Sequence, residues 1–205
     1  MSVRVYQIAP PGGFHWINPV DSDDFDRLSF DGKPKTSSWE PVKMELVTKD
    51  GDRGGESTDQ YTHFPWRGQD QLILRDEAVD KIGPVLDPYG ELLPLEGDGL
   101  RVAVFNCLTV VDALDEEKSE VGYSRGSGKV REISSYVFRA NEVDGLGAFK
   151  ISQQPGGPLL FTDALVDEFE GAGLSALRFN AVWDSEEGTY GERLATKFRP
   201  VDRKI

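Results

Sequence analysis

Two stretches decide the fold: LILRDEAVDKI at residues 72–82 and LLFTDALVDEF at residues 159–169. Leu72, Asp76, Val79 and Asp80 recur as Leu159, Asp163, Val166 and Asp167. Ile73, Leu74, Ala78 and Ile82 meet Leu160, Phe161, Leu165 and Phe169, apolar against apolar. Each copy opens on a short apolar run of the kind that forms a buried strand. Each then turns to helical spacing: Ala78, Val79 and Ile82 share one stripe, as do Leu165, Val166 and Phe169, while Glu77, Asp80 and Lys81 face away. Asp76 in the first copy, and Thr162 or Asp163 in the second, are placed to cap free amides at a helix start. Glu77 and Asp163 also sit favourably against the positive end of the helix dipole. Gly83-Pro84 and Gly171–Gly173 are the predicted stops.

Another extended stretch follows each helix. GLRVAVFNCLTVV (99–111) is apolar on both alternating faces, like a central strand covered on two sides, and LSALRFNAVW (174–183) plays that part in the second copy. The chain therefore reads as α+β, with a mainly antiparallel or mixed sheet built on a duplicated strand–short helix–strand unit. Around this frame, VRVYQI (3–8) alternates as an opening strand, and Val42, Met44 and Leu46 line one face of another. Phe25, Leu28 and Phe30 suit a short amphipathic turn of helix. YSRGSGKVR (123–131) has hairpin chemistry, ISSYVFRA and AFKIS supply further strands, and residues 48–63 lack periodicity and read as loop. The polar tail, 185–205, is expected to be loosely held. All 205 residues are assigned to one domain, with a division near 145–158 as the alternative.

Thirty-six acidic residues oppose 23 basic ones, a net charge of −13. Such a surface repels nucleic acid and anionic membranes and attracts cationic partners. No apolar run approaches the roughly 18 residues that mark a membrane span, and the opening MSVRVYQIAPPGG has no signal-peptide core. With one cysteine there is no internal disulfide framework, and a cytoplasmic location is expected.

The tools of catalysis are sparse. The two histidines, His15 and His63, form no spaced ligand pair, and Cys107 cannot complete a thiolate site, so no metal and no cofactor are expected. The alternation around Cys107 places it in a buried strand. GSGK (126–129) fails the phosphate-loop spacing at Tyr123 and Val130, and reads as a hairpin tip. Asp59 lies four residues before His63, where a histidine–carboxylate pair is conceivable. Two acidic runs remain: Asp21, Asp23, Asp24, Asp26 and Asp31 in one, and Asp112, Asp115, Glu116, Glu117 and Glu120 in the other. Runs of like charge form solvated faces or partner surfaces. Trp66 and Arg67 are of the types that dominate binding hot spots, although large aromatics more often fold back over a core.

LDPYGELLPLEGDGLRVAVFNCLTVVDALDEEKSEV (86–121), SSYVFRANEV (134–143) and GPLLFTDALVDEFEGAGLSALRFNAVWD (157–184) together resemble immunity protein family eleven of bacterial polymorphic-toxin systems. The resemblance rests on a G-E-L-L-P-L phrase at Gly90–Leu95, an F-N-C phrase running into D-A-L-D at Phe105–Asp115, and the strand–helix–strand of Leu159–Trp183. It covers about residues 39–184 and leaves the first 38 residues and the tail poorly matched. It implies a non-enzymatic protein that binds and neutralises a cognate toxin, and it brings no catalytic residue with it. The expected contacts are Asp112, Asp115, Glu116, Glu117, Glu120, Trp66 and Arg67, facing a cationic toxin domain; the oligomeric state is left open. The competing expectation is a small-molecule-binding protein or hydrolase with its site near His63 and Asp59. A structural adaptor is the third.

Overall fold

The computed structural model describes residues 2–10, 12–47, 59–189 and 203–204. The first copy of the repeat forms β4 (Leu72–Arg75), α1 (Glu77–Leu86) and β5 (Gly90–Gly97). The second forms β11 (Leu160–Thr162), α3 (Asp163–Gly171) and β12 (Arg178–Asp184). In neither copy do the two strands touch. β4 and β5 both pair antiparallel with β6 (Leu100–Cys107), which lies between them. β11 and β12 likewise both pair antiparallel with β1 (Arg4–Ala9). The duplicated unit is thus a strand–helix–strand crossover with a third strand inserted in the gap. Local sequence supplies that strand in the first copy, and the chain's beginning supplies it in the second. The counterpart of β12 is therefore β5, a strand the periodicity missed, while the apolar stretch 99–111 plays the inserted part.

Two sheets result. β2 (Trp16–Pro19), β3 (Lys43–Val47), β5, β6 and β4 are ordered 2-3-5-6-4, the β3–β5 pair being parallel. The other is ordered 13-12-1-11-10-7, adding β7 (Val110–Val111), β10 (Ala148–Ile151) and β13 (Gly188–Thr189), with β14 (Arg203–Lys204) also on β12. The last part of the polar tail is thus paired, through Arg178↔Lys204 and Phe179↔Arg203; residues 190–202 and 205 lie outside the described residues, as do 48–58 of the predicted loop. A separate hairpin, β8 (Glu120–Tyr123) and β9 (Val130–Ser135), turns at GSGK as expected. Beyond β9, ISSYVFRA leaves the extended state, and α2 (Ala140–Val143) begins at its last residue.

The alternation of each strand sorts its side chains into three cores. Leu72, Leu74, Phe105 and Cys107 from one sheet, and Tyr6, Ile8, Phe161 and Phe179 from the other, enclose the stripes of α1 (Ala78, Ile82, Leu86) and α3 (Leu165, Val166, Phe169). This central core draws on residues from both sides of 145–158. Ile73, Val102, Val104, Leu93 and Leu95 point the other way, under Leu28, Phe30 and Val42. Val5, Leu160, Phe149 and Trp183 form the third core with Leu114, Tyr136 and Phe138. A bulge makes the sorting consistent: Val5 faces Trp183 but Tyr6 faces Ala181, so Val182 is the extra residue and strand faces switch there.

Several predicted local signals are spent differently. Asp76 does not cap α1, and Asp163 does not cap α3. Asp163 instead accepts from the Arg4 amide (2.9 Å) and the Tyr6 hydroxyl (2.7 Å), which ties β1 to the second copy. Thr162 Oγ1 donates to Leu146 O. Gly83-Pro84 does not stop α1, which runs on to Leu86 and into a 3-10 turn at Asp87–Tyr89. Pro84 is exposed, so the carbonyl it cannot serve, that of exposed Asp80, meets water, and burial of Leu86 draws the helix through. Gly83 answers a packing need, since a Cβ there would lie 3.2 Å from Leu92 Cδ2. Gly173, at φ +65°, does end α3 as predicted.

Residues 28–36 form a strap tied to both sheets, held by its backbone. Gln71 Nε2 donates to Leu28 O (2.6 Å), Lys150 Nζ to Phe30 O (2.7 Å) and Asn106 Nδ2 to Lys33 O (2.9 Å), while Glu91 Oε1 accepts from Lys35 N (2.5 Å). Lys150 is 1% exposed, and burial lowers its pKa, offset in part by Asp70, Cys107 and Asp31. A lysine whose folded pKa is depressed binds fewer protons folded than unfolded between that value and 10.5. Stability therefore rises with pH across that window. Urea midpoints of wild type and Lys150→Met, compared from neutral pH upward, should show wild type gaining on the variant as pH rises; parallel curves would refute the lysine's contribution.

Candidate functional site

Among the surfaces that sequence reasoning singled out, the acidic run is the most fully built. Past β7 the chain crosses the outer face of the seven-stranded sheet, and DALD buries its two apolar residues between its two acids. Ala113 and Leu114 are fully buried, while Asp112 is exposed and Asp115 partly so. Leu114 bridges to Phe138, with Asp115 N donating to Val137 O (2.8 Å) and Arg139 N to Ala113 O (2.9 Å). Gln153 (2.7 Å) and Arg139 (2.9 Å) bind the Asp112 carboxylate and hold it below the usual range, and Lys118 (2.8 Å) does the same for Asp115. Glu116 accepts from the Tyr123 hydroxyl (2.7 Å), which raises that phenol's pKa. Glu117 and Glu120 are exposed, Glu120 accepting from Ser134 Oγ (3.2 Å).

The five predicted acids therefore divide. Asp112 and Asp115 brace the arm, whereas Glu116, Glu117 and Glu120 present charge. Tyr123, 50% exposed at the end of the hairpin strand β8, joins them because β8 folds back beside the turn. With Glu116 it lines an open cleft of ≈ 540 Å³ that Lys129 and the Ser152–Gly156 loop also border.

Trp66 and Arg67 are not part of this face. Trp66 packs against the central core and bridges to Trp16, its amide donating to His15 O (3.1 Å). Arg67 stacks over Phe25 at 5.0 Å, and burial lowers its pKa, countered by Asp70. Both brace the side of the molecule that carries the 3-10 segment Ser22–Leu28, beyond the five-stranded sheet. Of the acids in the first run, Asp21 accepts from Asp23 N (2.9 Å), Asp24 pairs with Arg27 (2.7 Å), and Asp31 pairs with Lys33.

The second cluster surrounds the histidines. The conceived pair of His63 with Asp59 is not made. Helix α1 brings Glu77 Oε1 to 3.0 Å from His63 Nε2, and Asp59 acts on His15 instead. His63 Nδ1 faces Ser175, with its amide and Oγ both at 3.2 Å. Tyr61 lies edge-on to His63 at 5.1 Å and donates to Asp76 Oδ2 (2.9 Å), while Arg75 covers the Tyr61 ring at 4.5 Å. Burial and Arg75 lower the His15 pKa, countered by Asp59. Among the described residues, the two non-glycines at positive φ, Asp76 (52°) and Ala176 (72°), flank this cluster. Such strain persists where surrounding structure over-determines it. No signal in the sequence pointed to Glu77 or Ser175 as partners of His63, because Ser175 is 112 residues away.

Cys107 is buried as expected, and burial pushes its thiol up to about 11. Among the described residues no group of histidine, cysteine and carboxylate side chains could hold a metal ion. Nor, among the described residues, is any helix long and apolar enough to cross a membrane.

The phrases that carry the family resemblance have architectural tasks. Gly90 leaves room for Asn106 O, Glu91 and Asn106 clamp the strap, Leu93 and Leu95 fill a core, and Pro94 O accepts from Trp39 Nε1 (2.7 Å). No family model matches the chain. No curated protein matches it either.

Proposed function

We propose that this chain is an immunity protein of the polymorphic-toxin kind, acting in the cytoplasm. It binds a cationic toxin domain and neutralises it by covering its working surface, with the acidic arm as the contact. The observation that carries the reading is the arm itself. Glu116, Glu117 and half-exposed Tyr123 stand on buried anchors, Ala113 and Leu114, so the surface is formed before a partner arrives and little entropy is lost on docking. An exposed aromatic ring with a carboxylate hydrogen-bonded to its hydroxyl suits lysine and arginine side chains. The net charge of −13 speeds encounter with such a partner over about a Debye length. The reading calls for no cofactor and no chemical step.

The test is co-expression with the toxin domain encoded beside this gene, followed by binding kinetics. Glu116→Lys with Glu117→Lys is expected to slow association about tenfold or more at low salt and to flatten its salt dependence. Association that is unchanged at every salt concentration would remove the arm from the interface. Absence of any rescue by the wild-type chain would remove the immunity reading.

A further inference from the structure

The contacts of His63 define its tautomer. The Ser175 amide can only donate and the Glu77 carboxylate can only accept, so Nδ1 carries the lone pair and Nε2 the proton. That one lone pair is shared between the Ser175 amide and Ser175 Oγ, both at 3.2 Å, so the hydroxyl can pass its proton to Nδ1 as the amide contact lengthens. From this arrangement we infer that Ser175, His63 and Glu77 form a nucleophilic relay able to hydrolyse unhindered esters and thioesters, an activity separate from the arm's binding.

Three observations support it. Glu77 is kept ionised by its hydrogen bond to Lys81 Nζ (2.9 Å at Oε2) and by His63, leaving Oε1 to steady an imidazolium. The loops carrying serine and histidine are stapled: buried Thr62 donates to Ala176 O (3.1 Å) and accepts from Phe64 N (2.8 Å). Ala176, next to the serine, is held at φ 72°, a conformation a free loop would relax. The ring nitrogens are exchanged relative to the common serine relay, but either nitrogen of a neutral imidazole can take a proton. Ser175 is exposed, so the acyl group comes from solvent and requires no enclosed cavity.

In the reaction, Ser175 Oγ bonds to the acyl carbon while its proton passes to His63 Nδ1. The alcohol or thiol leaves with that proton, giving acyl-Ser175. Water then attacks the acyl carbon, its proton returns through Nδ1 to Oγ, and the carboxylic acid departs.

The experiment uses the full chain with a fluorophosphonate probe, read by intact mass and peptide mapping, and with p-nitrophenyl acetate. The expected result is one adduct on Ser175 and turnover abolished by Ser175→Ala. His63→Ala is expected to cost about a hundredfold, and Glu77→Gln at least about tenfold. Ser175 is exposed, so Ser175→Ala should fold and keep its thermal midpoint, and toxin rescue should survive it. No adduct, or labelling of Ser175 equal in folded His63→Ala, would overturn the relay while leaving the immunity reading untouched.

Discussion

Phe169→Ala is expected to lower the free energy of unfolding by about 3–5 kcal/mol. Phe169 is fully buried on α3, and its ring meets Phe64 at 5.7 Å, Phe161 at 6.1 Å and Phe179 at 5.4 Å. These neighbours come from a loop and two strands, β11 and β12, so no single element can move to close the cavity. The loss therefore contains both the transfer of a large apolar side chain and an unfilled void. Urea denaturation would show it as a shift in midpoint at unchanged slope. A shift worth less than about 1 kcal/mol would mean that the central core is not packed around this ring.

Gly90→Ala should be nearly as damaging for the opposite reason. A Cβ at residue 90 would stand 2.2 Å from Asn106 O and 2.8 Å from the Phe105 ring. The first obstacle is backbone in β6, paired with β5 along its whole length, and cannot rotate away. Relief requires the start of β5 to separate, which also moves Glu91 and loosens the strap it holds at Lys35 and Thr36. Overpacking of this kind costs about 3 kcal/mol. Hydrogen exchange should report it first in the amides of Lys35 and Thr36, and protection there equal to wild type would contradict the coupling.

Helical stripes, strand alternation and the hairpin were legible in the sequence because each depends on neighbours within a few residues. Ala78 and Ile82, Leu165 and Phe169, and Val102 and Val104 are buried where their spacing put them. The cap assignments failed for the converse reason. Asp163 is claimed by Arg4 and Tyr6 from the far end of the chain, and a distant donor outcompetes a local amide whenever the fold brings it within reach. β5 escaped notice because Glu91 and Pro94 break its apolar pattern, and their purposes lie in the strap and in Trp39.

The candidate sites show the same division. The acidic run was visible as composition, but composition could not separate its bracing residues from its presenting ones. Arg139 and Gln153 reach Asp112 from other segments, while β8 sets Tyr123 beside Glu116. His63 was conspicuous as one of two histidines, yet its partners depend on the docking of α1 and of the turn after α3.

The amino-acid order alone settled the α+β class and the repeated strand–helix step, since hydrophobic period is a local property. The placing of β1 between β11 and β12, the strap, and the meeting of Ser175, His63 and Glu77 were decided only in three dimensions. They join residues far apart in the chain, and such contacts form only when burial of the shared cores offsets the entropy of closing long loops.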